Sequence, residues 1–264
     1  MTEAAGLAVS AVALASLFNN TIECFEFVQL GCTFGKSFQT SQLKLDNARL
    51  RLSRWGKSLG LDDQDVREST SLKRNLASKE NVGQAEALLG QIVELFVEAE
   101  GVSEKYKSRK APQGSLAVYN PQTDLDPSGA KLHEKMRQLS IERQNCSGIR
   151  KKAKWALYQE KQFRRLIEDI TDLVDGLENL FPAAQPSRRQ LCDAEVSILE
   201  EGLEGEAMSV LKDITAAQDK LLEQAITESG AKSYHIAFSG NGNCGFQLGH
   251  NSGTISGITF GRDS

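Results

Sequence analysis

The chain has 264 residues, 40% hydrophobic and 25% charged, with a formal net charge of −4. That is enough apolar material for a packed core and too little positive charge for broad nucleic-acid binding. Aromatics at 6% and only five prolines favour helices over a β-sandwich. The cysteines, Cys24, Cys32, Cys146, Cys192 and Cys244, are odd in number, scattered and without a C-x-x-C pair. A disulfide framework or a zinc site is therefore not expected, and the pattern suits a reducing cytosol.

Residues 1 to about 230 are predicted to be helical. The start, Met1-Thr2-Glu3, is acidic where a secretory signal needs positive charge. Ala4 to Ile22 then carries no charged residue. As a helix at ~1.5 Å per residue it spans about 28 Å, close to the thickness of a bilayer core. Two roles fit it: a buried helix of the bundle, or a segment that enters a membrane through Gly6, Leu7, Val9, Val12, Leu14, Leu17 and Phe18. The two need not conflict, because a helix apolar all round can be hidden in one state and inserted in another. Gly6, Ser10, Ala11 and Ala15 permit close helix contact in an oligomer. Glu23 and Glu26, on a helix rich in Phe25, Phe27 and Val28, read as a solvated helix edge rather than a catalytic pair.

Leu45, Ala48, Leu52, Trp55 and Leu59 recur at steps of three and four and mark one helical face, with Lys44, Arg49, Arg51, Arg54 and Lys57 largely off it. The polar stretch from Asp62 to Glu68 breaks that pattern. Val82, Ala85, Leu89, Ile92, Phe96, Ala99 and Tyr106 mark a second long helix. Ala111 to Gly129 holds three prolines and is read as a loop. A third helical stretch is expected from about Lys131, weakening near Asn145 to Gly148 and resuming from about Ile149. Its stripe of Phe163, Leu166, Ile170, Leu173, Leu177 and Leu180 runs to Phe181-Pro182. The last stretch, Leu191 to Ile226, is interruptible at Gly202 and Gly205, since each costs ~1 kcal/mol against alanine inside a helix. These stretches predict an all-α, antiparallel multi-helix bundle over residues 1–230.

Composition changes after Lys232. From Ser233 to Gly261 there is no Asp, Glu, Lys or Arg, and seven glycines fall between Gly240 and Gly261. Tyr234, Ile236 and Phe238, then Cys244, Phe246 and Leu248, then Ile258 and Phe260 alternate as short strands do. Three such segments cannot bury a core alone. Stacked in cross-β, each backbone group pairs with the chains above and below, Asn and Gln form ladders, and the lack of charge removes repulsion between copies. The same composition also describes a disordered tail. Glycines at every fourth position would fit a transmembrane helix interface, but the stretch is too polar to insert.

Within the tail, Asn243-x-Gly245-x-Gln247-x-Gly249-x-Asn251-x-Gly253 matches all six fixed positions of the fungal pseudo-palindromic amyloid motif. Phe246-Gln247-Leu248-Gly249 resembles the core of the RHIM motif of animal necroptosis proteins. In the first part of the chain, LFNN at 17–20, CFEFVQLG at 24–31, FG at 34–35, QLKLD at 42–46 and RLSRWG at 51–56 occur in order. With WALY at 155–158 and the stretch ending Phe181-Pro182, they resemble the HeLo domain of fungal incompatibility proteins over roughly residues 1–225. That resemblance implies an all-α bundle that executes programmed cell death. It implies that Ala4–Ile22 is expelled into the plasma membrane on activation of a protein otherwise cytoplasmic. It also implies two partners for the tail: further copies of itself, and a NOD-like receptor carrying a matching motif. The alternative is an adaptor or antagonist that oligomerises without inserting. The family's prion members end in a different, longer repeat, so signalling specificity should differ.

No cofactor or metal site is expected. Gly31-x-x-x-Gly35-Lys36-Ser37 is one residue short of a phosphate-binding loop and is read as having no preceding strand. His133, His235 and His250 are far apart, and no G-x-S-x-G elbow occurs. The basic run Arg150-Lys151-Lys152-Lys154 is either a solvated helix face or a contact for anionic lipid.

Overall fold

A computed structural model describes residues 2–62, 79–110, 117–144, 153–203 and 205–232, with the side chains of 2–10, 36, 79 and 231–232 excepted. Helix α1 (Thr2–Phe27) runs directly into strand β1 (Val28–Leu30) and a 3-10 segment, Cys32–Ser37. Then come α2 (Phe38–Leu59) and α3 (Lys79–Lys110). The proline-bearing stretch holds a short turn, α4 (Pro121–Asp124), before α5 (Pro127–Glu142). Strand β2 (Trp155–Leu157) precedes α6 (Glu160–Leu180), α7 (Gln185–Glu200), α8 (Gly205–Gln218) and α9 (Lys220–Lys232).

Local chemistry sets several boundaries. Gly60 ends α2 at φ 81, a left-handed turn that glycine adopts without the Cβ penalty. The expected start near Lys131 is four residues late. Asp126 caps α5 by accepting the Gly129 amide at 2.7 Å, and Pro127 takes the first helical position. The Leu191–Ile226 stretch breaks at residues 201–203, as its glycines suggested, and again at Asp219, whose side chain accepts the Leu222 amide at 3.1 Å.

One expectation fails in the second half. Helix does not resume over residues 155–157: WALY forms a strand lying parallel to β1, with Val28 opposite Trp155 and Leu30 opposite Leu157. Gly31 adds an antiparallel bridge to Val118. Trp155 to Tyr158 are all buried, and a fully apolar short run does not distinguish strand from helix by periodicity.

The helices enclose two cores joined by α2. Leu45, Ala48, Leu52, Trp55 and Leu59 face the larger, shared with α1, α3 and α6. Leu43 and Leu50 face the smaller, built from α5, α7, α8 and α9. Because α2 is covered on both sides, its arginines are buried too: Arg49 is 4% exposed, Arg51 7% and Arg54 0%.

Candidate functional site

The inner side of α1 is seated in the larger core. Leu14, Phe18 and Ile22 are fully buried, and Ala11, Ala15 and Phe25 nearly so. The Phe18 ring lies 6.2 Å from that of Trp55 and directly over Gly56, where any Cβ would collide with it. Trp55 is fixed in turn, since its indole N–H donates to the Leu177 carbonyl at 3.1 Å and its ring sits 6.1 Å from Phe181. Val12, Ala13 and Ser16 on the outer side are exposed. Of the predicted membrane segment, then, Leu14 and Phe18 are core, Leu17 is half-buried and Val12 faces solvent. Gly6, Leu7 and Val9 lie in α1 with side chains outside the described residues. Among the described residues no helix is long and apolar enough to cross a membrane.

A polar latch holds the far end of α1. Glu26 pairs with Arg49 of α2, and Arg137 of α5 donates to it through Nε at 3.0 Å and Nη2 at 3.1 Å. Burial pushes the Glu26 carboxyl up, but the two guanidiniums more than offset it and hold it below the usual carboxylate range. Glu26 is thus an anchored residue, correcting its reading as a solvated edge, and Val28 belongs to the strand.

Beside the latch, His133 Nδ1 lies 2.7 Å from an Asp46 oxygen, joining α5 to α2. Burial pulls His133 down, while the hydrogen bond and charge of Asp46 outweigh it and raise the imidazole above 6.5. A raised folded value means the pair's stabilisation is complete below the unfolded value and fades as pH rises through the folded one. The difference in urea midpoint between the natural chain and His133→Gln should therefore shrink from roughly pH 6 to pH 8. An unchanged gap would show that the pair is not ionic.

The α2 arginines form a second network deeper inside. Arg54 donates to Glu195 through Nε and Nη2, the latter at 2.6 Å, and to Asp219 through Nη1 at 2.8 Å. Arg143 donates to the same Glu195 at 2.5 Å. Two cations and two carboxylates balance, which is what makes such burial tolerable. Arg51 meets Glu178 at 2.8 Å and also pairs with Asp175. One helix is thereby tied to α6, α7 and the start of α9.

The remaining candidates separate. A strand does precede Gly31, against expectation, and the Tyr158 ring fills the space where a Cβ would stand at Gly31, so that glycine serves close packing. Cys24 and Cys192 are buried and Cys32 is exposed. Among the described residues, no group of three or more His, Cys, Asp or Glu side chains is placed to hold a metal. Lys154 is exposed, while Arg150, Lys151 and Lys152 lie outside the described residues. So do Asn243, Gly245, Phe246, Gln247, Leu248, Gly249, Asn251 and Gly253.

Residues 6–214 match the HeLo family model, described as prion-inhibition and propagation. The chain belongs to the HeLo family. Residues 230–257 match a second model, the SesB domain on fungal death-pathway protein. The chain is 33% identical over 229 residues to heterokaryon incompatibility protein s of Podospora anserina, covering 86% of this chain and 75% of that protein. Heterokaryon incompatibility protein S of the same fungus matches to the same extent. Two solved structures of the HET-s N-terminal domain, one of them a double mutant, superpose with a TM-score of 0.73 at 31% identity. Each covers 83% of this chain and 98% of the solved domain. This is a fungal cell-death and heterokaryon-incompatibility type of protein with a HeLo-like helical fold.

The HeLo strings now have a spatial meaning. LFNN and RLSRWG meet where Phe18 lies on Trp55-Gly56, and CFEFVQLG runs beside WALY as the parallel strand pair. Sequence reading missed the Glu26 latch and the Arg54 network. Their signal was available: three arginines on a helix whose apolar residues face two ways.

Proposed function

We propose that this HeLo protein is a membrane-disrupting executioner, switched on when its tail is templated into a cross-β stack by a receptor bearing a matching motif. At rest the head is folded, with α1 seated, and the protein is cytoplasmic. The supporting observation is continuity: α9 runs to Lys232, and the SesB match at 230–257 overlaps its end and covers the six-position motif. Stacking of tails crowds the heads and pulls on α9. Asp219, which precedes that helix and caps it, holds Arg54, one residue from the Trp55-Gly56 seat of Phe18. Strain at α9 thus reaches the surface on which α1 rests, and released Ala4–Ile22 segments gather in the plasma membrane.

Energetics set what the membrane must return. Burying Leu14, Phe18 and Ile22 contributes ~1.5–3 kcal/mol each. The sum is comparable with the whole ~5–15 kcal/mol stability of a domain, so release needs a bilayer to receive the helix.

Gln247→Pro removes a ladder donor from the tail. Fibre formation by the full chain and killing in cells that carry the receptor should be abolished together. Killing that persists without fibres would overturn the templating step.

A further inference from the structure

A cleft of about 440 Å³ opens where the end of α1 and β1 meet α2, α5 and residues 118–122. Six acidic or basic side chains line it: Glu26, Asp46, Arg49, His133, Arg137 and Lys154. Both carboxylates are already engaged, Glu26 by the two arginines and Asp46 by Gln42 and His133. Arg49 is not saturated. Its Nη1 holds Glu26, but Nε and Nη2 have no partner among the described residues, although Arg49 is only 4% exposed.

A buried guanidinium with two unused donors is expensive, and a folded chain rarely keeps one without water, an ion or a ligand to accept from it. Arg49, Arg137 and Lys154 also outnumber the two acids, which leaves the cleft cationic in a chain whose net charge is −4. Guanidiniums matched to an oxyanion give short, charge-assisted hydrogen bonds, and phosphate offers more acceptors than a carboxylate.

We propose that this cleft binds a phosphate-type anion, held by the unused donors of Arg49 together with Arg137 and Lys154. Entry draws Arg137 partly away from Glu26, so the bound anion and the α1 carboxylate share one cationic surface. The same chemistry comes from a soluble phosphate ester or from a phosphorylated lipid headgroup, and the proposal does not depend on the membrane reading.

The full soluble chain is titrated with inorganic pyrophosphate and with inositol 1,4,5-trisphosphate by calorimetry. In parallel it is floated with phosphatidylcholine vesicles containing phosphatidylinositol 4,5-bisphosphate. Saturable binding in the soluble arm identifies a free phosphate ester as ligand, and binding to vesicles alone identifies a headgroup. In either arm Arg137→Gln and Lys154→Gln should each weaken binding roughly tenfold, the value of one charge-assisted contact. Lys131→Gln, on the same helix as Arg137 but outside the cleft, should leave it unchanged. The His133 ring protons should shift on binding. No saturable binding in either arm, or binding that survives Arg137→Gln and Lys154→Gln together, would overturn the assignment.

Discussion

Replacing Arg54 by methionine is expected to destabilise the head by roughly 3–5 kcal/mol, because it leaves Asp219 as a buried carboxylate without its cation and Glu195 with Arg143 alone. Glu195 is 0% exposed and Asp219 1%, so water does not reach them while the fold persists. Asp219 also starts α9 by accepting the Leu222 amide, which places part of the loss at the helix nearest the tail. Urea unfolding followed by the fluorescence of Trp55 and Trp155 measures the effect. The double variant Arg54→Met, Asp219→Asn removes the unpaired charge, leaves Arg143 paired with Glu195 and keeps an acceptor for the Leu222 amide, so it should recover part of the loss. A loss below ~1 kcal/mol in the single variant would mean that the network is solvated in solution.

Val12→Asp is expected to leave the resting fold intact and to silence membrane activity. Val12 is 38% exposed on the outer side of α1, so the carboxylate stays in water while the head is folded. In a bilayer the same residue sits near the middle of Ala4–Ile22, where a charge costs ~2.5–3.5 kcal/mol. Per inserted segment that is roughly a hundredfold in partition. Leu14→Asp cannot serve the purpose, because Leu14 is fully buried and its loss would unfold the seat. The informative measurement is dye release from liposomes beside the unfolding midpoint of the same preparation. Unchanged release with an unchanged midpoint would remove Ala4–Ile22 from the mechanism.

The helices were legible in the sequence wherever one face was apolar. Val82, Ala85, Leu89, Ile92 and Phe96 are all buried on α3, and Phe163, Leu166, Ile170 and Leu177 on α6. What period counting cannot see is a helix covered on both sides. In α2 the residues off the apolar stripe, Arg49, Arg51 and Arg54, are inside as well, and only their partners 23 to 167 residues away explain how. The strand pair was hidden for a related reason: three residues fix no period, and pairing across more than a hundred residues is set by tertiary contact. Trp155, Ala156 and Leu157 read equally well as the start of α6. The seat of α1 was half visible. Phe18 and Trp55 stood out as large apolar residues, but the need for glycine at 56 appears only when Phe18 is found lying on it.

Killing by the proposed route requires coupling between an assembled tail and an inserted α1. The most direct test is dye release from plasma-membrane-like liposomes by the full chain, with and without preformed fibrils of residues 233–264. Release should be low for the soluble protein, rise steeply on seeding, and fall back to the unseeded level in Val12→Asp although fibres still grow. Vigorous fibre growth on seeding with no release from the natural chain would contradict the account, and would identify the protein as an assembling adaptor that never enters the membrane.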